Sequence, residues 1–274
     1  MTSMQTLVFT DMDGTLLDHN TYSYEPARPA LEALAQQQIP VIPTTSKTYA
    51  EMLVLRKTIG LNGPFIVENG AAVFIPHNFF DQKPAGTVWQ DGFWCKSFIS
   101  SKQHWLQLLE QIKAEFDQQF THFSAMSLKQ IQHATGLNED DARRAARRQY
   151  GEPVLWQGEA SAKQAFIEAI SARGGYPLEG GRFIHISGDC DKGQALQWLC
   201  NEYQRQHNVR TQSVALGDGN NDIAMLEAAD IAIRIHSPNH EPPELQKQQQ
   251  VYTSTQHGPA GWNETLTTLL SLPI

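Results

Sequence analysis

The sequence predicts an α/β protein in two parts: a parallel-sheet core with helices on both faces, and a smaller α/β domain inserted into it. Three observations predict this. Short apolar runs alternate with helical stretches over residues 1–82, the alternation returns over residues 180–274, and residues 83–179 between them differ in texture. Strands alternating with helices of this length form a parallel sheet covered on both sides.

Taken in order, Thr6–Asp11 (TLVFTD) reads as a buried strand that ends in polar residues. Arg28–Gln38 reads as a helix, Ile39–Thr45 as a second strand, Thr48–Ile59 as a helix and Phe65–Glu68 as a third strand. The insert is rich in Gln, Trp and charged helical segments, and Pro84-Ala85-Gly86 and Gly174-Gly175-Tyr176-Pro177 supply its loop signals. It carries helical periodicity of its own in Trp105, Leu108, Leu109 and Ile112, so it is a domain rather than a linker. Beyond it, Gly181–Ser187 is a strand, Lys192–Gln206 a helix, Ser213–Leu216 a strand and Asp222–Ala228 a helix. Ile231–Ile235 and Val251–Thr253 are short strands, Gln246–Gln250 a polar helix or loop, and Ala260–Leu270 the last helix.

Composition excludes several classes of function. The 274 residues are 41% hydrophobic and 18% charged, enough apolar material for a folded core. Mean hydropathy is -0.41, and no apolar run approaches the ~18 residues of a membrane span. The opening MTSMQTLVFTDMDG lacks a basic segment and soon meets aspartates, so a signal peptide is not expected. Lys and Arg number 21 against 29 Asp and Glu, a net charge of -8, which disfavours nucleic acid and anionic membranes as partners. Cys95, Cys190 and Cys200 are few, odd in number and lack zinc spacing, which fits free thiols in a reducing cytoplasm.

The chemistry concentrates at strand ends. Asp11-Met12-Asp13-Gly14-Thr15-Leu16-Leu17-Asp18 follows the first strand directly, and Gly217-Asp218-Gly219-Asn220-Asn221-Asp222 follows Ser213–Leu216. Open α/β sheets bind ligands outside the carboxyl ends of their strands. If the two strands are neighbours, up to four carboxylates converge on one crevice. Their repulsion calls for a divalent cation, and oxygen ligands suit Mg²⁺. Each cluster alone also fits an acidic turn that caps the next helix. Neither is an EF-hand, because the twelfth positions are Tyr22 and Ala229 rather than Glu. Pro43-Thr44-Thr45-Ser46-Lys47 places hydroxyls at another strand terminus, suited to phosphate oxygens, although this segment and the one at Lys192, each taken alone, fit helix capping better. In Gly188-Asp189-Cys190-Asp191-Lys192-Gly193, Lys192 sits at a helix start against the macrodipole, where a bound phosphate would justify it.

Together these segments resemble the haloacid dehalogenase-like hydrolases, on Asp11-x-Asp13-Gly14-Thr15, Thr45, Lys192 and Gly217-Asp218-x-x-Asn221-Asp222. The insert lies where the branch with a large α/β cap carries its cap, so the resemblance implies a Rossmann-like core (1–82 and 180–274) and a substrate-selecting cap (83–179). Within that branch the chain is similar to the mannosyl-3-phosphoglycerate phosphatase subfamily. The marks are Thr45-Ser46-Lys47-Thr48, Gly181-Arg182-Phe183-Ile184-His185, Asp191-Lys192-Gly193 and Gly258-Pro259-Ala260-Gly261-Trp262. It departs from the subfamily at Gly151, and at Gly219 or Asn220, where Ser is commoner.

The resemblance implies a Mg²⁺-dependent phosphatase working through an aspartyl-phosphate on Asp11, with Asp13 as general acid and base. It implies Mg²⁺ held by Asp11, Asp13 and Asp218 with support from Asn221 and Asp222, and phosphate bound by Thr45, Ser46 and Lys192. Lys47, Arg148, Arg182 and His185 are the candidate substrate contacts. Arg148 is the candidate for a phosphoglycerate carboxylate, because guanidinium matches carboxylate bidentately. Arg143, Arg144, Arg147 and Arg148 lie on a stretch, Asp140–Gln149, read as one helix, where acid-first, base-last order also has a purely structural reading for at least two of them. His236 and His240 straddle Pro238 and read as loop residues. The implied partner is a small phosphorylated molecule and the implied state a monomer or small homo-oligomer. Mannosyl-3-phosphoglycerate, giving mannosylglycerate and phosphate, is the expected substrate. The alternatives are a glucosyl-3-phosphoglycerate or general sugar-phosphate phosphatase, and a non-catalytic phosphate binder. A pure binder needs no second aspartate placed for proton transfer, so Asp13 counts against the last.

Overall fold

The computed structural model describes residues 4–180 and 182–272. The chain begins with β1 (Met4–Thr10), α1 (Arg28–Gln36), β2 (Val41–Pro43), α2 (Tyr49–Ile59), β3 (Phe65–Val67), β4 (Ala72–Pro76), β5 (Val88–Gln90) and β6 (Phe93–Ser97). It continues through α3 (Lys102–Ile112), β7 (Phe120–His122), α4 (Leu128–Thr135), α5 (Glu139–Ala145), β8 (Glu152–Trp156), α6 (Ala160–Ser171), β9 (Tyr176–Gly180) and β10 (Phe183–Ser187). It closes with α7 (Lys192–His207), β11 (Arg210–Gly217), α8 (Ile223–Ala228), β12 (Ile231–His236), β13 (Val251–His257) and α9 (Gly258–Leu269).

Two compact units divide the chain, residues 1–46, 56–96 and 191–274 in one and residues 47–55 and 97–190 in the other. The first holds a five-stranded sheet in the order β13-β12-β11-β1-β2, with each pairing parallel. Its central strands are apolar on both faces, as a sheet covered by helices requires: Leu7, Val8 and Phe9 of β1 and Val214, Ala215 and Leu216 of β11 are fully buried. From α9, the fully buried Trp262 donates its indole N–H to Thr10 Oγ1 at 3.0 Å, pinning the last helix to the first strand. Thr10 is in register with Leu216 on one side and Pro43 on the other. The carboxyl ends of β1, β2 and β11 therefore finish level with one another.

The strand after α2 departs from expectation. β3 does not extend the parallel sheet; it pairs antiparallel with β4 in a second sheet of order β3-β4-β6-β5, and an isolated parallel bridge, Thr44 to Ile66, links it to the parallel sheet's side. The cause is the turn at Glu68, Asn69 and Gly70, all three with positive φ (49°, 58° and 96°), which sends the chain straight back. Gly70 is required there for a second reason: a Cβ would lie 2.0 Å from the Asp191 carbonyl oxygen, at the entrance to α7. Gly70→Ala is expected to lower stability by about 1–3 kcal/mol from backbone strain alone, with the clash adding to it. A urea midpoint equal to that of the parent chain would contradict this.

The boundaries also shift. Strands β5 and β6 join the sheet of β3 and β4, so residues 83–96 belong to the first unit rather than to the insert. At the far side, β10 pairs antiparallel with β8 and β9, so residues 180–190 belong to the second unit rather than to the core. Local patterning shows the strand at Gly181–Ser187 but not those at β5 and β6, and in both places the choice of sheet is made by long-range pairing.

The second unit is built on an antiparallel sheet of order β7-β8-β10-β9. Trp105, Leu108, Leu109 and Ile112 of α3, the stripe the sequence predicts, pack with Phe166 and Ile170 of α6 against Val154, Ile184 and Ile186. Strand alternation puts Phe183 on the opposite face, beside a small cluster of Phe123, Ile131 and Ala142 from the region of α4 and α5. Helix α5 ends at Ala145 instead of reaching Gln149, which leaves Arg147 and Arg148 beyond its last turn. Among the described residues no helix is long and apolar enough to cross a membrane, and the three cysteines form no disulfide.

Candidate active site

Asp11 and Asp218 are the first residues past β1 and β11, and the register of those strands sets them side by side. The Asp11 N–H donates to the Leu216 carbonyl at 2.9 Å, so the chain is still held to the sheet where the carboxylate begins. The turn that follows closes through Leu17 N–H to the Met12 carbonyl (2.8 Å) and Gly14 N–H to the Leu17 carbonyl (2.9 Å). Gly14 has φ +82°, and a Cβ on it would stand 2.6 Å from Asp218 Oδ2. Glycine at this position is what lets the second carboxylate approach the first turn.

The third carboxylate comes from Asp222, and ligand atoms of Asp11, Asp218 and Asp222 all lie within 4.8 Å of one another. Asp222 Oδ2 accepts the backbone N–H groups of Asp218 (3.1 Å) and Gly219 (3.0 Å), which ties the loop after β11 into shape. Lys192, the first residue of α7, is fully buried and donates to Asp11 Oδ1 at 2.5 Å and Asp222 Oδ1 at 2.6 Å. Its helix is capped by Asp191, whose side chain accepts from Gln194 N–H at 2.7 Å. Thr15 Oγ1 donates to Asp218 Oδ1 at 2.8 Å, and His240 Nε2 lies 3.3 Å from Asp218 Oδ2.

Burial raises the Asp11 carboxyl well above its ordinary range, and Asp222 pushes the same way against the opposing pull of Lys192. Asp218 is also raised, chiefly by burial, with Thr15 opposing. For Lys192 burial works to lower the pKa, but the two carboxylates outweigh it and the ammonium holds its proton more tightly than usual. Three carboxylates against one ammonium leave a net negative charge in a buried site, an arrangement that a hard cation relieves. Asp222 takes three protein donors, the Lys192 ammonium and two backbone N–H groups, against the Thr15 hydroxyl and the longer His240 contact on Asp218, so Asp11 and Asp218 are the better direct ligands and Asp222 the brace behind them. The donor set fits Mg²⁺.

The remaining predicted residues divide between the units. Asp13 is half-buried within the turn, bridged to Leu17. Thr45 is buried just past β2; its N–H donates to the Ile66 carbonyl at 3.0 Å and its carbonyl accepts Asn69 N–H at 2.9 Å. Ser46 follows it, half-buried. Asn221 is exposed and donates to Asn69 Oδ1 at 3.4 Å.

Lys47, Arg148, Arg182 and His185 group with the second unit. Arg143 and Arg144 pair with Glu139 (2.8 Å) and Asp141 (2.7 Å) on their own helix, which is the structural use. Arg182 donates to the Ala134 carbonyl at 3.1 Å, and Gly181 of its motif lies outside the described residues. His185 is on the sheet face opposite Ile184 and Ile186. Two contacts escaped sequence reasoning. Thr15 was legible only as part of a motif, and His240, read as a loop residue, reaches Asp218 across the fold from a loop whose sequence carries no signal of it.

Comparisons with known proteins bear on the family and the fold. The profile of a family described as haloacid dehalogenase-like hydrolase matches residues 8–86 and 165–254. A glucosyl-3-phosphoglycerate/mannosyl-3-phosphoglycerate phosphatase of Methanococcoides burtonii is 36% identical over 272 residues, covering 97% of this chain and 98% of its own. Among solved structures, a Thermotoga maritima protein superposes with a TM-score of 0.68 at 17% identity, over 97% of this chain and 98% of that one. The sucrose-phosphatase of Synechocystis, solved with sucrose and phosphate, gives 0.60 at 15% identity over the same shares. These structural likenesses speak to the fold.

Proposed function

Because the chain belongs to the haloacid dehalogenase-like hydrolases, we propose that it is a Mg²⁺-dependent phosphatase acting on a glycosyl-3-phosphoglycerate, with mannosyl-3-phosphoglycerate yielding mannosylglycerate and phosphate. The observation that carries the chemistry is the buried Asp11, Asp218 and Asp222 cluster with Lys192 set into it. The substrate class is supported by the 36% identical relative, whose name covers both glucosyl and mannosyl forms. That same name favours a glucosyl-3-phosphoglycerate as the second reading.

In the proposed reaction a carboxylate oxygen of Asp11 attacks phosphorus and the bond from phosphorus to the glycerate C3 oxygen breaks, leaving an aspartyl-phosphate and the glycosylglycerate alkoxide. Asp13 gives a proton to the departing oxygen, then takes one from the water that hydrolyses the acyl phosphate and restores Asp11. Lys192 and Thr45, with Ser46, bind the phosphoryl oxygens and hold them for in-line attack. Asp11, the Asp13 carbonyl and Asp218 would hold Mg²⁺, braced by Asp222 and Asn221; the ion supplies charge neutralisation for the carboxylates and phosphoryl oxygens. Lys47, Arg148 and His185 are the proposed contacts to the remainder of the substrate.

Phosphate release across a panel of esters tests the reading. With Mg²⁺ present, kcat/KM for a glycosyl-3-phosphoglycerate should exceed that for simple hexose phosphates by about a hundredfold or more. Equal rates across the panel would replace the specific reading with a general sugar-phosphate phosphatase, and no release from any ester would favour a binder.

The raised carboxyls give a second expectation. A carboxyl whose pKa is higher folded than unfolded stabilises the fold below its ordinary pKa of about 3.9 and loses that contribution as pH rises through the raised value. For Asp11 and Asp218 the cation-free protein therefore weakens as pH climbs out of the acid range towards neutrality. Mg²⁺ binds the ionised forms and the folded state, so its effect on melting temperature should be larger at pH 8 than at pH 5. Melting curves with and without the ion, at both pH values, decide this; an equal gain at each would contradict it.

A further inference from the structure

Within the second unit a cavity of about 460 Å³ opens between α4 and the sheet, a size typical of small-molecule sites. Its lining combines an apolar surface, Met126, Ala134 and Leu155, with three basic side chains, Lys129, His133 and Arg182. Thr121, Gln130 and Gln157 complete it, and among the described residues no carboxylate lines it, in a chain whose net charge is -8. Lys129 and His133 stand one helical turn apart on the same face of α4, so both can offer N–H donors to one anion. The Arg182 guanidinium is tied to the end of that helix through the Ala134 carbonyl.

We propose that this cavity binds an organic anion with an apolar body, its acid group met by Lys129, His133 and Arg182 and its body seated on Met126, Ala134 and Leu155. The proposal goes beyond the phosphatase reading: the cavity is lined by the second unit alone and contributes no step to the reaction. Arg182, a candidate substrate contact in the sequence, lines this cavity.

Calorimetric titration of the full chain with 2-naphthoate and with its uncharged counterpart 2-naphthol provides the test. One-to-one binding of naphthoate is expected, at least about tenfold tighter than naphthol, since a charge-assisted hydrogen bond contributes on that scale. Lys129→Gln and Arg182→Gln should each weaken naphthoate about tenfold while leaving naphthol unaffected. Ala134→Phe, which fills the cavity without touching a charge, should abolish the binding of both. Excess inorganic phosphate should leave naphthoate binding intact. The proposal is overturned if naphthol binds as well as naphthoate or if the charge variants bind naphthoate like the parent. It is equally overturned if no binding is seen at millimolar naphthoate, or if phosphate displaces it, which would put the anion in the phosphatase site.

Discussion

Asp11→Asn is expected to lower kcat for phosphate release by about four orders of magnitude or more, the scale on which enzymes lose activity with their nucleophile. The amide is nearly isosteric and keeps a carbonyl oxygen for Lys192, so the fold has no reason to change. What disappears is the anionic oxygen proposed to attack phosphorus. Stability should move the other way. Burial and Asp222 raise the Asp11 carboxyl, so its ionised form is disfavoured in the folded protein, and the neutral amide removes that penalty. At neutral pH without a divalent cation the variant should melt at or above the parent's temperature while releasing no phosphate. This pairing separates a lost nucleophile from a damaged fold. Turnover at the parent's rate would move the nucleophile elsewhere.

Lys192→Met is expected to destabilise the protein by about 3–5 kcal/mol, because it removes one partner of a buried ion pair and leaves two carboxylates without their cation. Asp11 and Asp222 lie 2.5 Å and 2.6 Å from the lysine nitrogen, and all three side chains are buried. Methionine fills most of the lysine's volume, so the loss reports charge rather than a cavity. The double variant Lys192→Met/Asp222→Asn should recover part of that stability, since it lowers the uncompensated charge, yet it should not recover phosphate release. Chemical denaturation of both variants measures the first effect and the ester assay the second. If Lys192→Met unfolds at the parent's midpoint, the buried ion pair does not stabilise the fold.

Much of the first unit could be read locally. Thr6–Asp11 and Ser213–Leu216 are continuous apolar runs that end in acid, and a strand buried on both faces has to look like that. The stripe Trp105, Leu108, Leu109 and Ile112 was legible because helical periodicity is written in neighbouring residues. The failures share a cause. β3 was assigned to the parallel sheet because nothing in Phe65–Glu68 says which strand will pair with it; the left-handed turn at Glu68–Gly70 decides that. β10 was recognisable as an alternating strand but lies on the other side of the expected boundary for want of pairing information, and β5 and β6 carry no strand signal in the sequence reading. The stretch from Glu139 to Arg148 is rich in good helix formers, and propensity alone carried the expected helix past Ala145, where the chain leaves it.

The same division holds at the site. Asp11, Asp218 and Lys192 were found because each sits in a short segment whose residue types make little sense without a ligand. The sequence by itself thus determined the kinds of element, the acidic strand ends and the family. Only the tertiary structure decided that Asp222 would spend both oxygens on protein donors, that Thr15 would orient Asp218 from 203 residues away, and that His240 would reach the same carboxylate. Propensity and periodicity act over a few residues, whereas a buried hydrogen bond or ion pair is chosen by whatever the folded chain brings within about 3 Å.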